Sequence, residues 1–351
     1  MKHNYKGLSL FSNVGIAETY LKDIGFPIIL ANELLPERCK FYSDMHNGNI
    51  IEGDIQNKKI YDNIIEISKK RSVNFILATP PCQGMSRAGK MKENDPRNKL
   101  IIIIMNIFID LKPEFMLIEN VSQMFGTNIN IGGHSINICN YIKEICDKYN
   151  YNVKFDIFNA ADYGTPQNRK RSIIRIYKKT YSWKDPLKQK RINLLEAIGH
   201  LPSLNPGEDS NIPFHKAKKH NKNHILWMSH TPTGKSALDN MEFFPQKDGR
   251  KIKAYNTAYK RMRWDKPANT ITMSNGGISS QTNVHPGYKL PNNTYSDPRV
   301  LTLLELFIVM GLPDNWFPPK WAKDTLIRQV IGEGVPPKLI KEIFLCLEKN
   351  I

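Results

Sequence analysis

Residues 6–178 alternate short apolar runs with longer stretches of helical character, and that alternation leaves few folds open. Strand-like runs lie at Gly7–Phe11, Phe26–Ala31, Asn49–Asp54, Val73–Ala78, Glu114–Ile118, Tyr151–Phe158 and Ser172–Tyr177. Helical patterns start at Gly15 and run through Leu35–Tyr42, Leu100–Ile109 and Ile136–Lys148. Repeated βα units build a mostly parallel, doubly wound α/β sheet, whose ligands bind at the carboxyl ends of its strands. Function should therefore be sought in the residues that directly follow strands.

The sharpest of these is the segment after Val73–Ala78. Pro80 and Pro81 fix φ and cannot continue a ladder, so the chain turns there. Cys82 follows at once and opens a Gly-containing loop. A cysteine so placed is positioned to be a nucleophile, although a free cysteine more often fills space as a small apolar residue. Phe11-Ser12-Asn13-Val14-Gly15 follows the first strand, where a turn offers backbone N–H groups to a ligand. Glu33 follows the second strand about 20 residues on, where a carboxylate accepts from ribose hydroxyls. Asp54 follows the third and can accept from an adenine amino group. Each alone is weak, since a lone Glu or Asp after a strand is more often a helix cap or a solvated turn. In this order they point to an adenosine-containing cofactor, and the absence of Gly-x-Gly-x-x-Gly argues against a dinucleotide.

Glu119-Asn120-Val121 closes a further strand, where a partly buried carboxylate would have a raised pKa and hold a proton near neutral pH. Arg169 and Arg171 alternate around Lys170, so an extended chain puts both guanidiniums on one face, suited to phosphate or carbonyl oxygens. Pro232-Thr233-Gly234-Lys235-Ser236 imitates a phosphate-binding loop. The earlier glycine it needs is Ser229, and no strand precedes it, so a nucleotide triphosphatase is rejected.

The 351 residues carry 50 Lys and Arg against 33 Asp and Glu, a net charge of +17. Residues 178–263 hold 18 basic and 7 acidic side chains, a local net of +11, so the excess is concentrated rather than spread by a Lys-rich genome. Concentrated positive charge favours nucleic acid as partner. No apolar run approaches the ~20 residues of a membrane span. The start of the chain has no secretory character, so a cytoplasmic, nucleoid-associated protein is expected. Five cysteines without a Cys-x-x-Cys pair argue against a disulfide framework and a zinc site, and no metal is expected.

Pro80-Pro81-Cys82-Gln83, Glu119-Asn120-Val121 and Gln167-x-Arg169-x-Arg171, in this order, resemble the cytosine-C5 DNA methyltransferases of bacterial and phage restriction-modification systems. Asp95-x-Arg97-x-x-Leu100, Arg263-x-x-x-x-Pro267-x-x-Thr270-Ile271-Thr272 and Gln329-x-x-Gly332-Glu333-Gly334-Val335-Pro336-Pro337 extend the resemblance over nearly the whole chain. Two positions depart from the family's pattern. Asn13 stands for a glycine in the first motif, and Glu333-Gly334 for Asn-Ala in the last. Asn tolerates left-handed backbone, so the turn can survive, whereas a carboxylate at 333 cannot donate as an amide would.

The resemblance implies a Rossmann-like, S-adenosyl-L-methionine-dependent domain plus a smaller target-recognition domain. The expected division is 1–182 for the large domain, 183–307 for the small one and 308–351 for a segment returning to the first. It implies Cys82 as the nucleophile on cytosine C6, Glu119 at the N3 side of the ring, and Arg169 and Arg171 at base and sugar-phosphate oxygens. Cofactor positions carried over are Phe11, Ser12, Asn13, Gly15, Ile16, Glu33, Leu34, Asp54, Ile55, Pro80, Leu100, Glu333 and Val335. The cytosine would be flipped out of duplex DNA, with the loop 84–97 closing over it. Gln83, Ser86, Arg87, Arg97 and Gln167 are expected at the DNA, joined by Lys218, Lys219, Arg250, Lys251 and Arg263 of the basic region. Trp183 and Trp227 read as core residues. A monomer is expected, with a cognate restriction endonuclease acting on the same site. A tRNA-methylating relative is the nearest rival, but residues 180–270 contain no cysteine and so lack its Cys-Phe-Thr signature. A non-catalytic DNA-binding relative is the other.

Overall fold

A computed structural model describes residues 4–46, 48–81 and 100–350. The chain divides into two compact units. Met1–Asn159, Lys170–Leu187 and Leu339–Ile351 form the first; Ala160–Arg169 and Lys188–Lys338 form the second. The first crossover between units thus falls at 159/160, ahead of the expected boundary at 182/183. Residues 308–338 belong to the second unit, and only the last stretch returns to the first.

The first unit is built on one seven-stranded sheet. Its parallel strands are β1 (Gly7–Leu10), β2 (Ile28–Glu33), β3 (Ile50–Glu52), β4 (Phe75–Ala78) and β5 (Phe115–Val121). Helices α1 (Pro36–His46), α2 (Lys58–Lys70) and α3 (Leu100–Leu111) connect them. A short ribbon that the sequence pattern did not reveal, β6 (Asn128–Ile131) with β7 (His134–Asn137), leads into α4 (Ile138–Lys148). Two longer strands follow, β8 (Tyr151–Asn159) and β9 (Lys170–Lys178). The order across the sheet is β3-β2-β1-β4-β5-β9-β8, with β9 antiparallel to both neighbours. The chain therefore winds outward in opposite directions from β1 and β4, which makes their carboxyl ends the switch point where doubly wound sheets bind ligands.

Strands buried on both faces explain the near-continuous apolar runs. Leu8, Leu10, Ile76, Ala78, Met116 and Ile118 meet Ile101, Ile104 and Phe108 of α3 in one core cluster. On the other side Tyr5, Phe26, Phe75 and Phe115 stack or meet edge to face, with Trp183 and Phe344. Trp183 sits in β10 (Tyr181–Trp183), is 1% exposed and donates from Nε1 to the Ile343 carbonyl at 2.8 Å.

The second unit has little regular structure. It contains α5 (Leu194–Ile198), α6 (Lys222–Ser229), a two-stranded ribbon of β11 (Gln246–Lys247) and β12 (Arg250–Lys251), α7 (Leu303–Met310) and α8 (Asp324–Glu333). Buried polar groups do much of the bonding that strands would otherwise do. Arg299 pairs with Asp297 and Glu305 at 2.8 Å, all three at most 1% exposed. Glu305 also closes the capping box of α7 with Thr302. A small apolar cluster of Trp227, Met228, Tyr259, Val284 and Val300 lies beside them. Helix α9 (Pro337–Leu345) and strand β13 (Leu347–Lys349) end the chain, and β13 pairs with β10 in the first unit.

Candidate functional site

The turn after β1 is made of unusual backbone. Phe11, Asn13 and Gly15 all have positive φ, at 59°, 51° and 79°. Asn13 therefore takes the left-handed geometry that a glycine would take, as its short polar side chain allows. Gly15 has no room for more: a Cβ there would lie 2.2 Å from His46 Nε2. Ser12 Oγ donates to the Asn32 carbonyl at 3.2 Å, and Asn32 Nδ2 in turn donates to the carbonyls of Ile51 and Gly53. Glu33, 6% exposed, accepts from Asn13 N at 3.0 Å on one oxygen and from the amides of Leu34 and Leu35 on the other. Its first task is thus to hold the turns after β1 and β2 together. A carboxylate has about four acceptor positions, so it keeps one for a ligand. Asp54, exposed, accepts from Gln56 N at 2.9 Å in a local turn. Ile16, Ile55 and Leu100 are buried, while Leu34 and Leu35 are 55% and 43% exposed.

The neighbouring turn, after β4, is bound to the first. Thr79 Oγ1 donates to the Phe11 carbonyl at 3.0 Å. Pro80 is buried and its carbonyl accepts from Asn120 Nδ2 at 3.0 Å. Asn120 Oδ1 accepts from Val121 N, so this 2%-exposed amide is engaged at both ends. Beside it Glu119 Oε1 lies 2.8 Å from Arg171 Nε, and the two side chains are 6% and 12% exposed. Arg171 also donates from Nη1 to the Lys170 carbonyl at 2.8 Å. The register explains the pairing: β5 and β9 run antiparallel with Val121 opposite Arg171, which brings both side chains to one end of the sheet. A guanidinium so close offsets the cost of burying the carboxylate. Cys82, Gln83, Ser86, Arg87, Arg97 and the loop 84–97 lie outside the described residues.

Arg169 and Gln167 are buried. The expected shared face with Arg171 requires both arginines in one extended strand, but β9 begins at Lys170. Arg169 is 2% exposed, and its guanidinium donates to the carbonyls of Ile271, Gly332 and Gly334 at 2.6, 2.9 and 2.8 Å. Gln167, fully buried, donates to the Val309 carbonyl and accepts from Ile271 N. Together they clamp Thr270-Ile271-Thr272 to Gly332-Glu333-Gly334 inside the second unit. Glu333 ends α8 and Val335 is 5% exposed. Among the basic positions, Arg263 is 58% exposed but forks onto Asp265 at 2.9 and 2.7 Å. Lys218 is 3.8 Å from Asp324, Lys219 is exposed, and Arg250 and Lys251 form the exposed strand β12. Trp227, 7% exposed, is a core residue like Trp183.

Some residues of the crevice carried no separate signal. Thr79 and Asn32 act only through the bonds given above. Glu18 is buried under the first turn and receives the Tyr42 hydroxyl at 2.7 Å. Burial raises its pKa, opposed by the His46 charge and by hydrogen bonds from Ser9 and Tyr42. Asn120 was visible as the middle of Glu119-Asn120-Val121.

Among the described residues no helix is long and apolar enough to cross a membrane. Residues 5–349 match the model of the C-5 cytosine-specific DNA methylases. The chain is 46% identical over 350 residues to Type II methyltransferase M1.HgaI of Avibacterium volantium, covering 98% of each. It is 29% identical over 343 residues to Type II methyltransferase M1.HphI of Haemophilus parahaemolyticus, covering 96% of this chain and 84% of that one. The fold is similar to that of the Entamoeba histolytica methyltransferase EhMeth, with a TM-score of 0.67 at 16% identity over 97% of both chains. A Spodoptera frugiperda DNMT2 mutant matches with a TM-score of 0.65 at 16% identity, over 97% of this chain and 99% of that one. A match over all but the ends, with the ordered motifs and the paired turns at the switch point, makes this chain a member of the C-5 cytosine-specific DNA methylase family.

Proposed function

We propose that the chain methylates C5 of one cytosine within a short site in duplex DNA, as the modification half of a restriction-modification system, with S-adenosyl-L-methionine as methyl donor. The observation that carries the reading is the Glu119–Arg171 pair, held at the end of β5 next to the Asn120–Pro80 bond. A charged pair 6% and 12% exposed, set beside the segment that leads into Cys82, is more than a strand cap.

The donor's adenosine would lie against the turn of Ser12, Asn13 and Gly15. Glu33 would accept from the ribose with its remaining capacity, Asp54 would serve the adenine amino group, and exposed Leu34 would give apolar cover. Ile16, Ile55, Pro80 and Leu100 complete the proposed set. The residues present fit such a group: left-handed backbone makes a tight turn at the end of β1, and the carboxylate beside it is already fixed. When bound, S-adenosyl-L-methionine supplies an electrophilic methyl group.

Cytosine C5 is a poor nucleophile on its own. Cys82, as thiolate, adds to C6 and forms the Sγ–C6 bond; the electron pair moves toward N3 and makes C5 nucleophilic. Glu119 holds a proton at N3 and so limits the charge that builds there. Arg171, engaged at Nε by Glu119 and at Nη1 by the Lys170 carbonyl, would serve the base oxygen with its remaining N–H groups. Once C5 carries the methyl group and has lost its proton, the Sγ–C6 bond breaks and Cys82 leaves. A stacked base cannot reach these groups, so it is flipped out at a cost of a few kcal/mol.

The test is expression in a host lacking cytosine methylation, followed by bisulfite sequencing of its DNA, with Cys82→Ala in parallel. Protected cytosines in one short context, with the intact chain only, are expected. Complete conversion of DNA from cells that hold soluble protein would overturn the reading, and protection in tRNA instead would favour the RNA-methylating rival.

A further inference from the structure

The second unit contains seven arginines, and six of them are engaged inside it. Arg169 and Arg261 hold backbone carbonyls. Arg191, Arg263 and Arg299 pair with Asp162, Asp265 and Glu305, and Arg328 with Asp324. Arg250 alone makes no side-chain hydrogen bond or ion pair among the described residues, and it is exposed.

Its setting is a built one. Asp248 and Gly249 have φ of 52° and 73°, the pair of positive values that a two-residue type I′ hairpin requires and that Asp-Gly suits. The register sets Gln246 opposite Lys251 and Lys247 opposite Arg250, so the two pairs face opposite sides of the ribbon. Lys251 Nζ lies 5.1 Å from the Phe244 ring and 3.5 Å from the Asn240 carbonyl, which turns that side toward the unit itself. Lys247 and Arg250 occupy the outward side. The base of the ribbon is fixed: Ile252 N donates to the Pro245 carbonyl at 3.0 Å, and Phe243 and Ile252 pack on the Trp227–Met228–Tyr259 cluster.

Two cations directly opposite each other weaken a hairpin, and the acid nearest them, Asp248, sits in the turn itself. Such a pair is retained where a polyanion receives it. A two-stranded ribbon fits the major groove, about 12 Å wide, and an arginine fork matches guanine O6 and N7. A phosphate would be served as well by lysine, of which the chain has 37 against 13 arginines.

We propose that the β11–β12 ribbon enters the major groove of the target duplex and that Arg250 reads a guanine of the recognition site, with Lys247 contacting the adjoining phosphate. The proposal rests on the DNA-methylating reading above.

The experiment compares the full chain with Arg250→Ala and Arg250→Lys, using bisulfite sequencing of host DNA to derive each consensus. Methylation rates are then measured on duplexes carrying each single base change. Both variants should melt at the wild-type temperature, since the side chain holds nothing in its own unit. Arg250→Ala should lose discrimination at one G·C pair by roughly 5- to 150-fold while the salt slope of DNA binding holds, and lysine should not restore it. A uniform loss at all sites with the slope reduced by about one would make Arg250 a phosphate contact and overturn the proposal. An unchanged consensus would overturn it too. A full chain that marks no cytosine would fail the functional reading itself, before any variant is compared.

Discussion

Asn120 donates to the carbonyl of Pro80 at 3.0 Å, across 40 residues of sequence, and so ties the turn after β4 to the strand that carries Glu119. The bond matters because of what lies on either side. Glu119 is one residue before Asn120, and Cys82 is two residues after Pro80. A single buried amide therefore fixes the strand end that carries the proposed proton holder against the segment that leads into the proposed nucleophile. Alanine at 120 would leave the Pro80 carbonyl and the Val121 amide unpaired, each worth about 1–3 kcal/mol when buried. Asn120→Ala should fold with reduced stability, bind the methyl donor within a few-fold of wild type, and lose at least tenfold in kcat. Calorimetric donor binding beside single-turnover methylation measures both. An unchanged kcat would remove the positioning role.

Glu119→Gln keeps the shape of the side chain and removes its charge. Arg171 is only 12% exposed, so it loses its partner without gaining water, and stability should fall. The catalytic effect should be larger. General acid–base groups contribute about 10²- to 10⁴-fold, so kcat should drop at least 100-fold while DNA affinity changes little. Rates measured at saturating DNA and donor separate the two effects. A drop below tenfold would mean that Glu119 only anchors Arg171.

What the sequence could show depended on distance along the chain. The βα alternation, the turns after β1 and β4, and the left-handed tolerance of Asn13 all rest on neighbours within a few residues, and they were legible. The partners of Arg169 lie 102, 163 and 165 residues away, so its spacing to Arg171 carried no sign that it serves as an internal clamp. The β6–β7 ribbon was hidden for another reason. Its alternation over four residues is too short to stand out beside the helix that follows. In the basic region net charge was legible, but which cations are already neutralised was not. Arg263 and Arg250 look alike in sequence, and only one of them forks onto an acid.

Gly332 lies within α8, where helix propensity alone says that alanine should stabilise by about 1 kcal/mol. The surroundings say the reverse. A Cβ at 332 would sit 2.3 Å from the carbonyl carbon and oxygen of Thr272 and 2.4 Å from Met273 N, which are backbone atoms that cannot swing aside. Gly332→Ala should therefore destabilise the protein by about 2–4 kcal/mol, because overpacking outweighs propensity. Denaturant titration of the purified variant measures it. A stabilised variant would mean that the Gln167–Arg169 clamp tolerates a shift of α8.

Acid should loosen the second unit through His285. The ring is 5% exposed in its side chain and lies between Asp297 and Glu305 at 3.7 and 3.6 Å, with Arg299 and Arg261 nearby. Burial, reinforced by the Arg299 charge, depresses its pKa to about 4. Its Nδ1 accepts from Gly287 N at 3.2 Å, a bond that protonation of that nitrogen would break. A histidine with a lowered folded pKa contributes fully above its unfolded value near 6.5, and that contribution is lost as pH falls toward 4. The loss amounts to about 3 kcal/mol over this window. Glu305 acts lower still: burial pushes it up, but the charges of Arg299 and His285 together with hydrogen bonds from His215 and Arg299 hold it well below the ordinary range. Four of the five tryptophans lie in the second unit, so fluorescence-detected melting follows it. The melting temperature should fall steadily from pH 7 to pH 4.5. His285→Asn, which keeps an acceptor for Gly287, should start lower because the ring is gone but should lose much of the slope. A slope as steep in the variant as in the wild-type chain would remove His285 as its source.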